Sequence, residues 1–117
     1  MILCEFVIPS LPPSANDERR HHWSVRNRKA REYIRIAGWH ARMAWGSGRK
    51  PASHPVIVTL HFSLPRGGDA DNRAKYVCDG LKGVILVDDC APWLHELRLR
   101  ARRGKPGQVF VTVETAL

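Results

Sequence analysis

An alternating run of nine residues constrains the fold of this chain more than any other feature. Between prolines at 55 and 65, two sets of side chains alternate, the apolar Val56, Val58, Leu60, Phe62 and Leu64 and the mixed Ile57, Thr59, His61 and Ser63. Because successive side chains of a β-strand point to opposite faces of a sheet, the pattern predicts a strand with at least one buried face.

The rest of the chain is divided by its periodicity and its turn residues. We expect an opening strand over Ile2 to Ile8, a helix from about Ser24 to Trp45, and a second helix capped by Asp71 and ended by Gly83. A short strand is expected over Val84 to Val87, and a closing hairpin joins residues 97–102 to Gln108–Glu114. The predicted fold is a single α+β domain over residues 1–117. It is a mixed β-sheet packed by two helices in β-α-β-α-β-β order, with the short strand as an optional addition.

The predicted helices are amphipathic. The first has a core face made of Ala30, Tyr33, Ile34, Ala37, Ala41 and Ala44, and its opposite face carries a basic stripe of Arg28, Arg31, Arg35 and Arg42 beside Trp39. The second helix buries Ala74, Val77, Cys78 and Leu81, while Asp71, Lys75 and Asp79 align on another face at four-residue steps.

The charge balance indicates the class of partner. Nineteen Lys and Arg against eleven Asp and Glu give a formal charge of +8, which favours nucleic acid. No apolar run approaches the roughly 20 residues that a membrane span requires, and the start of the chain lacks signal-peptide character, so a cytoplasmic location is expected. The three cysteines have no C-x-x-C spacing, which argues against a zinc knuckle.

Five carboxylates interrupt the basic background between Gly68 and Asp89. Asp69 and Asp71, two residues apart, could offer oxygen ligands to one divalent cation, and Asp88 or Asp89 could complete the set. Such an ion activates water and stabilises a leaving oxygen during phosphodiester hydrolysis, and Lys75 could offset charge on the same phosphate. In a purely structural reading, Asp71 only caps the helix and pairs with Lys75, and the Asp88–Asp89 pair forms a solvated turn.

The same residues resemble a known family. The pattern Asp-x-Asp-Asn-x-x-Lys-x-x-x-Asp-x-Leu-x-Gly, followed by Asp-Asp after an apolar stretch, is similar to that of the RusA-type Holliday junction resolvases. The upstream Pro12-Pro13-Ser14-Ala15-Asn16 is similar to the family's N-terminal signature. One departure is the sequence Cys90-Ala-Pro92-Trp93 after the aspartate pair, where the family usually has a polar and then an aliphatic residue.

The resemblance implies a Mg²⁺-dependent endonuclease, with Mn²⁺ as a substitute, that acts as a homodimer on four-way DNA junctions and cuts two opposed strands symmetrically. Carried over by position, Asp69, Asp71 and Asp89 would be catalytic metal ligands and Lys75 the catalytic lysine. Asn72, Asp79 and Asp88 match motif positions with supporting roles.

Three basic patches are candidates for phosphate contact. They are the arginine stripe of the first helix, the run Arg98, Arg100 and Arg102 with its neighbours, and the segment from Arg19 to His22. Trp39 could stack on an unpaired base or lie in a subunit contact. Two cuts on a two-fold junction also require a two-fold protein.

Two other functions fit the same sequence. One is a non-catalytic basic DNA-binding protein, or an inactive member of the family, in which the acids are structural. The other is a metal nuclease that acts on flaps, forks or RNA.

Overall fold

The computed structural model describes residues 1–13 and 23–116. Its elements are strands β1 (Ile2–Ile8), β2 (Val56–Leu64), β3 (Leu94–Arg103) and β4 (Gln108–Thr115), with helices α1 (Trp23–Trp45) and α2 (Asp71–Leu81). The predicted α+β class, the two helices and the β-α-β-α-β-β order are confirmed. Of the helices in this described part, none is long and apolar enough to cross a membrane.

The four strands form one mixed sheet in the order β1-β4-β2-β3. β4 lies between β1 and β2 and is antiparallel to both, and β3 is parallel to β2 at the sheet edge. The predicted closing hairpin is therefore wrong, because β3 and β4 are not neighbours. The apolar residues of β4 at Val109, Val111 and Val113 are fully buried and fit an interior strand. β3 exposes nearly its whole length, and its arginines suit an edge.

The predicted short strand over Val84 to Val87 is also wrong. The backbone N–H groups of Val84, Ile85 and Leu86 all donate to the carbonyl of Leu81, at 3.0–3.2 Å, so the segment folds into a compact turn. Ile85 and Leu86 are buried in that turn. Their apolar character thus reflects burial under the helices, since β3 already occupies the sheet edge beside β2.

Both helices lie on the same face of the sheet. Tyr33, Ala37 and Ala41 of α1 form one buried cluster with the predicted core stripe of α2 and with the alternating apolar residues of β2. All five of those β2 side chains are at most 2% exposed, as the alternation predicts. The opposite face of the sheet has no helix against it in the described part of the chain, and we call it the open face.

The start of α2 differs from the prediction in one detail. Asp71 is the first residue of the helix, and Ala70 occupies the N-cap position without a side-chain cap. Asp71 therefore stabilises the positive end of the helix dipole rather than capping a backbone N–H two or three residues on. The predicted end is confirmed, because Gly83 adopts a φ of +78° just beyond the C-cap.

Candidate active site

Two aspartates and an asparagine meet where β2 leads into α2. Gly67 and Gly68 have φ values of 71° and 116°, which turn the chain sharply after the buried strand. Asn72 Nδ2 donates to Asp69 Oδ2 at 3.3 Å, and the backbone N–H of Asn72 donates to Asp71 Oδ1 at 3.0 Å. Asn72 therefore contacts both carboxylates, which are exposed to solvent. We call Asp69, Asp71 and Asn72 the loop cluster.

A second acidic group lies at the other end of α2. The Lys82 ammonium is 3.3 Å from Asp79 Oδ1, 3.3 Å from Asp89 Oδ1 and 3.9 Å from Asp88 Oδ1. We call these four residues the lysine cluster. Sequence reasoning did not single out Lys82, although its i,i+3 spacing from Asp79 is a recognisable signal of an ion pair.

The charges of the lysine cluster stabilise one another. Hydrogen bonds to Asp79 and then to Asp89 raise the pKa of Lys82. The pKa of Asp88 is lowered, first by the backbone N–H of Asp89, which donates to Asp88 Oδ1 at 2.8 Å. Each of these two shifts favours the charged form of its own group, so the contacts of the cluster stabilise Lys82 as an ammonium ion and Asp88 as a carboxylate.

The two clusters are well separated within one chain. Asp71 and Asp79 are eight residues apart on α2, which corresponds to about 12 Å along the helix axis. In residues 1–13 and 23–116, no three His, Cys, Asp or Glu side chains lie close enough together to hold a metal ion. The predicted set of Asp69, Asp71 and Asp89 is thus divided between the two clusters.

The chemistry of the loop cluster suits a hard cation. Two carboxylates and an amide oxygen at adjacent positions are the donors that Mg²⁺ prefers, and their exposure leaves room for water and a phosphate. The loop cluster therefore fits part of a magnesium site. Lys75 is exposed one turn further along α2, between the two clusters.

Arg73 connects the start of α2 to the N-terminal proline motif. Its guanidinium donates to the carbonyl of Pro12, and Pro12 itself is buried. Leu11 lies beside Gly107, where an added Cβ would be 3.0 Å from the Leu11 Cδ1 atom. Pro12 of the motif thus contacts the first turn of α2, next to the loop cluster, whereas Ser14, Ala15, Asn16 and the patch Arg19–His22 lie outside the described residues. Arg73 was missed because an arginine between motif positions carries no distinctive sequence signal.

The arginines of the basic stripe of α1 differ in exposure and in contacts. Arg28, Arg31 and Arg35 are exposed, whereas Arg42 donates to the backbone carbonyls of Gly46 and Arg49 at the end of the helix. The predicted phosphate-binding role of all four remains a prediction. Trp39 is 60% exposed and makes an edge-to-face contact with His40.

The arginines of β3 follow the predicted ladder. The register pairs Thr59 with Arg98, His61 with Arg100 and Ser63 with Arg102, so all three arginines lie on the open face. Arg98 contacts Glu96 and lies 3.7 Å from Glu114, whereas Arg100 and Arg102 have no carboxylate partner within the described residues.

A basic α+β domain with exposed arginines and with paired aspartates at a helix start has features expected of a nucleic-acid-directed hydrolase. The comparison with known families is more specific. Residues 9–114 of the 117-residue chain match the family model described as endodeoxyribonuclease RusA, and the chain belongs to that family. The predicted resemblance is confirmed, and membership implies an endonuclease that resolves Holliday junctions. A search of curated proteins finds no match.

Proposed function

We propose that this protein is a divalent-cation-dependent endodeoxyribonuclease that resolves four-way DNA junctions by paired, symmetric hydrolysis. The observation that carries the proposal is the loop cluster, two exposed aspartates joined through Asn72 at the start of a helix, in a family member of formal charge +8. A basic surface attracts a polyanion, and a cation held by acidic groups on that surface can contact its phosphates.

Each residue of the loop cluster has a proposed role. Asp69 and Asp71 bind Mg²⁺, or Mn²⁺ as a substitute, and Asn72 orients both carboxylates. When bound, the cation polarises the scissile phosphate and lowers the pKa of an attacking water. Lys75, one turn along α2, neutralises charge that develops on the same phosphate.

We further propose that the protein acts as a homodimer in which Asp89 serves the loop cluster of a second copy. The support is that Asp89 contacts Lys82, at the opposite end of α2 from Asp71, and that the described residues bring no three ligating side chains together for one metal ion. A two-fold dimer would place two such shared sites across a two-fold junction. Asp79 and Asp88 support Asp89 through their common contact with Lys82.

The test uses a synthetic four-way junction end-labelled on each strand in turn. Wild type, Asp71→Asn and the control Glu32→Gln are compared in Mg²⁺ and in EDTA on denaturing gels. Glu32→Gln removes the same charge from an exposed position of α1. We expect paired symmetric cuts by wild type and the control in Mg²⁺, and a loss of at least about a hundredfold with Asp71→Asn, while junction binding is retained.

Other outcomes identify the two rival functions. Binding without any cutting by wild type would indicate a non-catalytic DNA-binding protein. Equal cutting of linear duplex, flaps or RNA would indicate a nuclease of broader substrate range. Cutting that survives Asp71→Asn would contradict the assignment of the loop cluster.

A further inference from the structure

The open face contains a shallow pocket at the end where β2 leads into the loop cluster. Its volume is about 200 Å³, and its lining residues are His61, Ser63, Arg102, Gln108 and Phe110. This volume is below that of sites for drug-sized ligands, so the pocket suits one small planar group. Nothing in the proposed hydrolysis uses these side chains.

An aromatic side chain is exposed in the middle of the sheet beside this pocket. Phe110 is 39% exposed although β4 has a neighbouring strand on each side. The register places Phe110 opposite Val7 on β1 and opposite His61 on β2, and it places Arg100 beyond His61 on β3. Neighbouring strands are about 4.8 Å apart, so this row offers a continuous apolar, aromatic and cationic surface.

Charge is segregated along the open face. The carboxylates Glu5, Glu96 and Glu114 lie toward the start of β2, where Arg98 contacts two of them. Arg100 and Arg102 lie toward the end of β2 and, within the described residues, contact no carboxylate. The positive charge beside the pocket is therefore uncompensated, which favours a phosphate-bearing ligand.

Hydrogen bonds to the backbone connect the strand end that lines the pocket with the loop that carries the proposed active site. Ser63 Oγ donates to the carbonyl of Gly104 at 3.1 Å. The N–H groups of Gly104 and Gly67 both donate to the carbonyl of Leu64, each at 3.1 Å. The pocket end of β2 is thus held next to the loop that carries Asp69 and Asp71. A DNA strand that crosses this end of the sheet would pass both features.

We propose that this pocket binds one unpaired base of the DNA substrate, stacked on Phe110, with Arg100 and Arg102 on the adjoining phosphates. Aromatic platforms bind single-stranded nucleic acid in this way because every base has a π-face, while arginines follow the backbone. Gln108 and the ring nitrogens of His61 face the base edge. The inference rests on the proposed function in that the ligand is the DNA that the loop cluster would cut.

The first experiment measures binding without cleavage, in EDTA, with a fluorescently labelled single-stranded oligonucleotide. Phe110→Leu, which keeps apolar bulk without a ring, should weaken binding about tenfold, whereas Phe110→Trp should retain it. The second variant keeps the test decisive if the first folds poorly. Equal affinity of the leucine variant and wild type, or equal losses for both substitutions, would overturn the proposal.

The arginines provide a matched pair on one strand. Arg102→Gln should weaken binding and reduce the slope of log affinity against log salt by about one, because it removes one phosphate contact. Arg98→Gln removes the same charge on the same face, but Arg98 is already paired with glutamates, so the slope should change less than with Arg102→Gln. Equal effects of the two substitutions would contradict a local phosphate site.

Two further readouts separate this inference from its alternatives. Loss of a wild-type dimer in Phe110→Leu, seen by analytical ultracentrifugation, would show that the open face is a subunit contact and overturn base binding. Phe110-dependent binding in a protein that does not cut junctions would support the pocket and refute the proposed nuclease. Junction cutting by a protein whose DNA binding does not depend on Phe110 would support the proposed nuclease and refute the pocket.

Discussion

The Lys82 side chain lies among the carboxylates of Asp79, Asp88 and Asp89, and these contacts define its role. Three carboxylates lie within 4 Å of its ammonium group, which therefore offsets part of the negative charge of Asp89. A lysine in this place holds Asp89 in position while limiting the charge available to a divalent ion.

Removal of this ammonium should therefore increase metal affinity. We expect Lys82→Gln to bind Mn²⁺ about fivefold more tightly than wild type, the scale of one unit charge acting across a few Å of water. Isothermal titration calorimetry without DNA measures the change. Lys50→Gln is the control, because Lys50 is exposed and the described residues give it no carboxylate contact. Unchanged or weaker Mn²⁺ binding by Lys82→Gln would contradict this account.

The cysteines differ in exposure and therefore in reactivity. Burial raises the pKa of the Cys78 thiol to about 12, with Asp89 and Asp79 adding to the shift, and burial also raises the pKa of Cys4. Since a raised pKa keeps a thiol protonated up to higher pH, the thiolate of Cys78 is scarce at neutral pH. Cys90 is exposed.

When the thiols of the native protein are labelled at pH 8, one of the three should accordingly react much faster than the other two. Mass spectrometry after a brief reaction with iodoacetamide should place the first modification on Cys90, and Cys90→Ser should remove that phase. All three thiols should react in denaturant, which serves as the control. Fast labelling of Cys78 in the native protein would show that α2 opens readily from the core.

At the scale of elements, the two helices approach each other through glycines. A Cβ added at Gly80 of α2 would lie 2.6 Å from the Ala37 Cβ and 3.1 Å from both the Gly38 nitrogen and the Ile34 oxygen of α1. A methyl group there must push the helix backbones apart. Because α2 carries parts of both acidic clusters, this contact also fixes their position on the sheet.

Gly80→Ala should therefore destabilise the fold by about 1–2 kcal/mol, an overpacking cost partly offset by the higher helix propensity of alanine. Gly38→Ala is the matched comparison, because its Cβ would meet only the Gly80 oxygen, at 3.2 Å, and should cost less. In urea denaturation, Ala37→Gly combined with Gly80→Ala should be more stable than the sum of the single effects predicts. Simple additivity would exclude this contact as the cause.

The periodicity of the sequence predicts which helices and strands form better than it predicts which strands lie side by side in the sheet. The helices and the strands β1 and β2 follow directly from spacing, because each buries one face. The order of strands does not, because a strand's position in the sheet depends on contacts distant in sequence, which is why a hairpin between β3 and β4 was expected. The turn at Val84 was mistaken for a strand because a short apolar run has the same composition whether it enters a sheet or packs beneath a helix.

At the scale of the whole molecule, the sequence predicts which candidate site residues share one segment, but it does not predict how separate segments come together. The motif spacing identified Asp69, Asp71 and Lys75 on one loop and helix, where local geometry decides proximity. The distance from Asp71 to Asp89 depends on how the chain folds back beyond α2 and on whether a second copy is present. Spacing cannot supply either of these, nor can it supply the contacts of Lys82 with Asp88 and Asp89.

A shared site can be distinguished from a site within one chain by mixing two inactive variants. If Asp69 and Asp71 of one copy act with Asp89 of the other, a heterodimer of Asp71→Asn and Asp89→Asn has one site with both substitutions and one with neither. Each variant alone should be inactive, and the mixture, co-refolded from differently tagged chains, should recover nicking of one junction strand. If each site is built within one chain, both sites of the heterodimer contain one substituted aspartate, and the mixture should be inactive. Homodimers of each variant refolded alone are the controls, and sedimentation of the mixture confirms that the two tagged chains have associated.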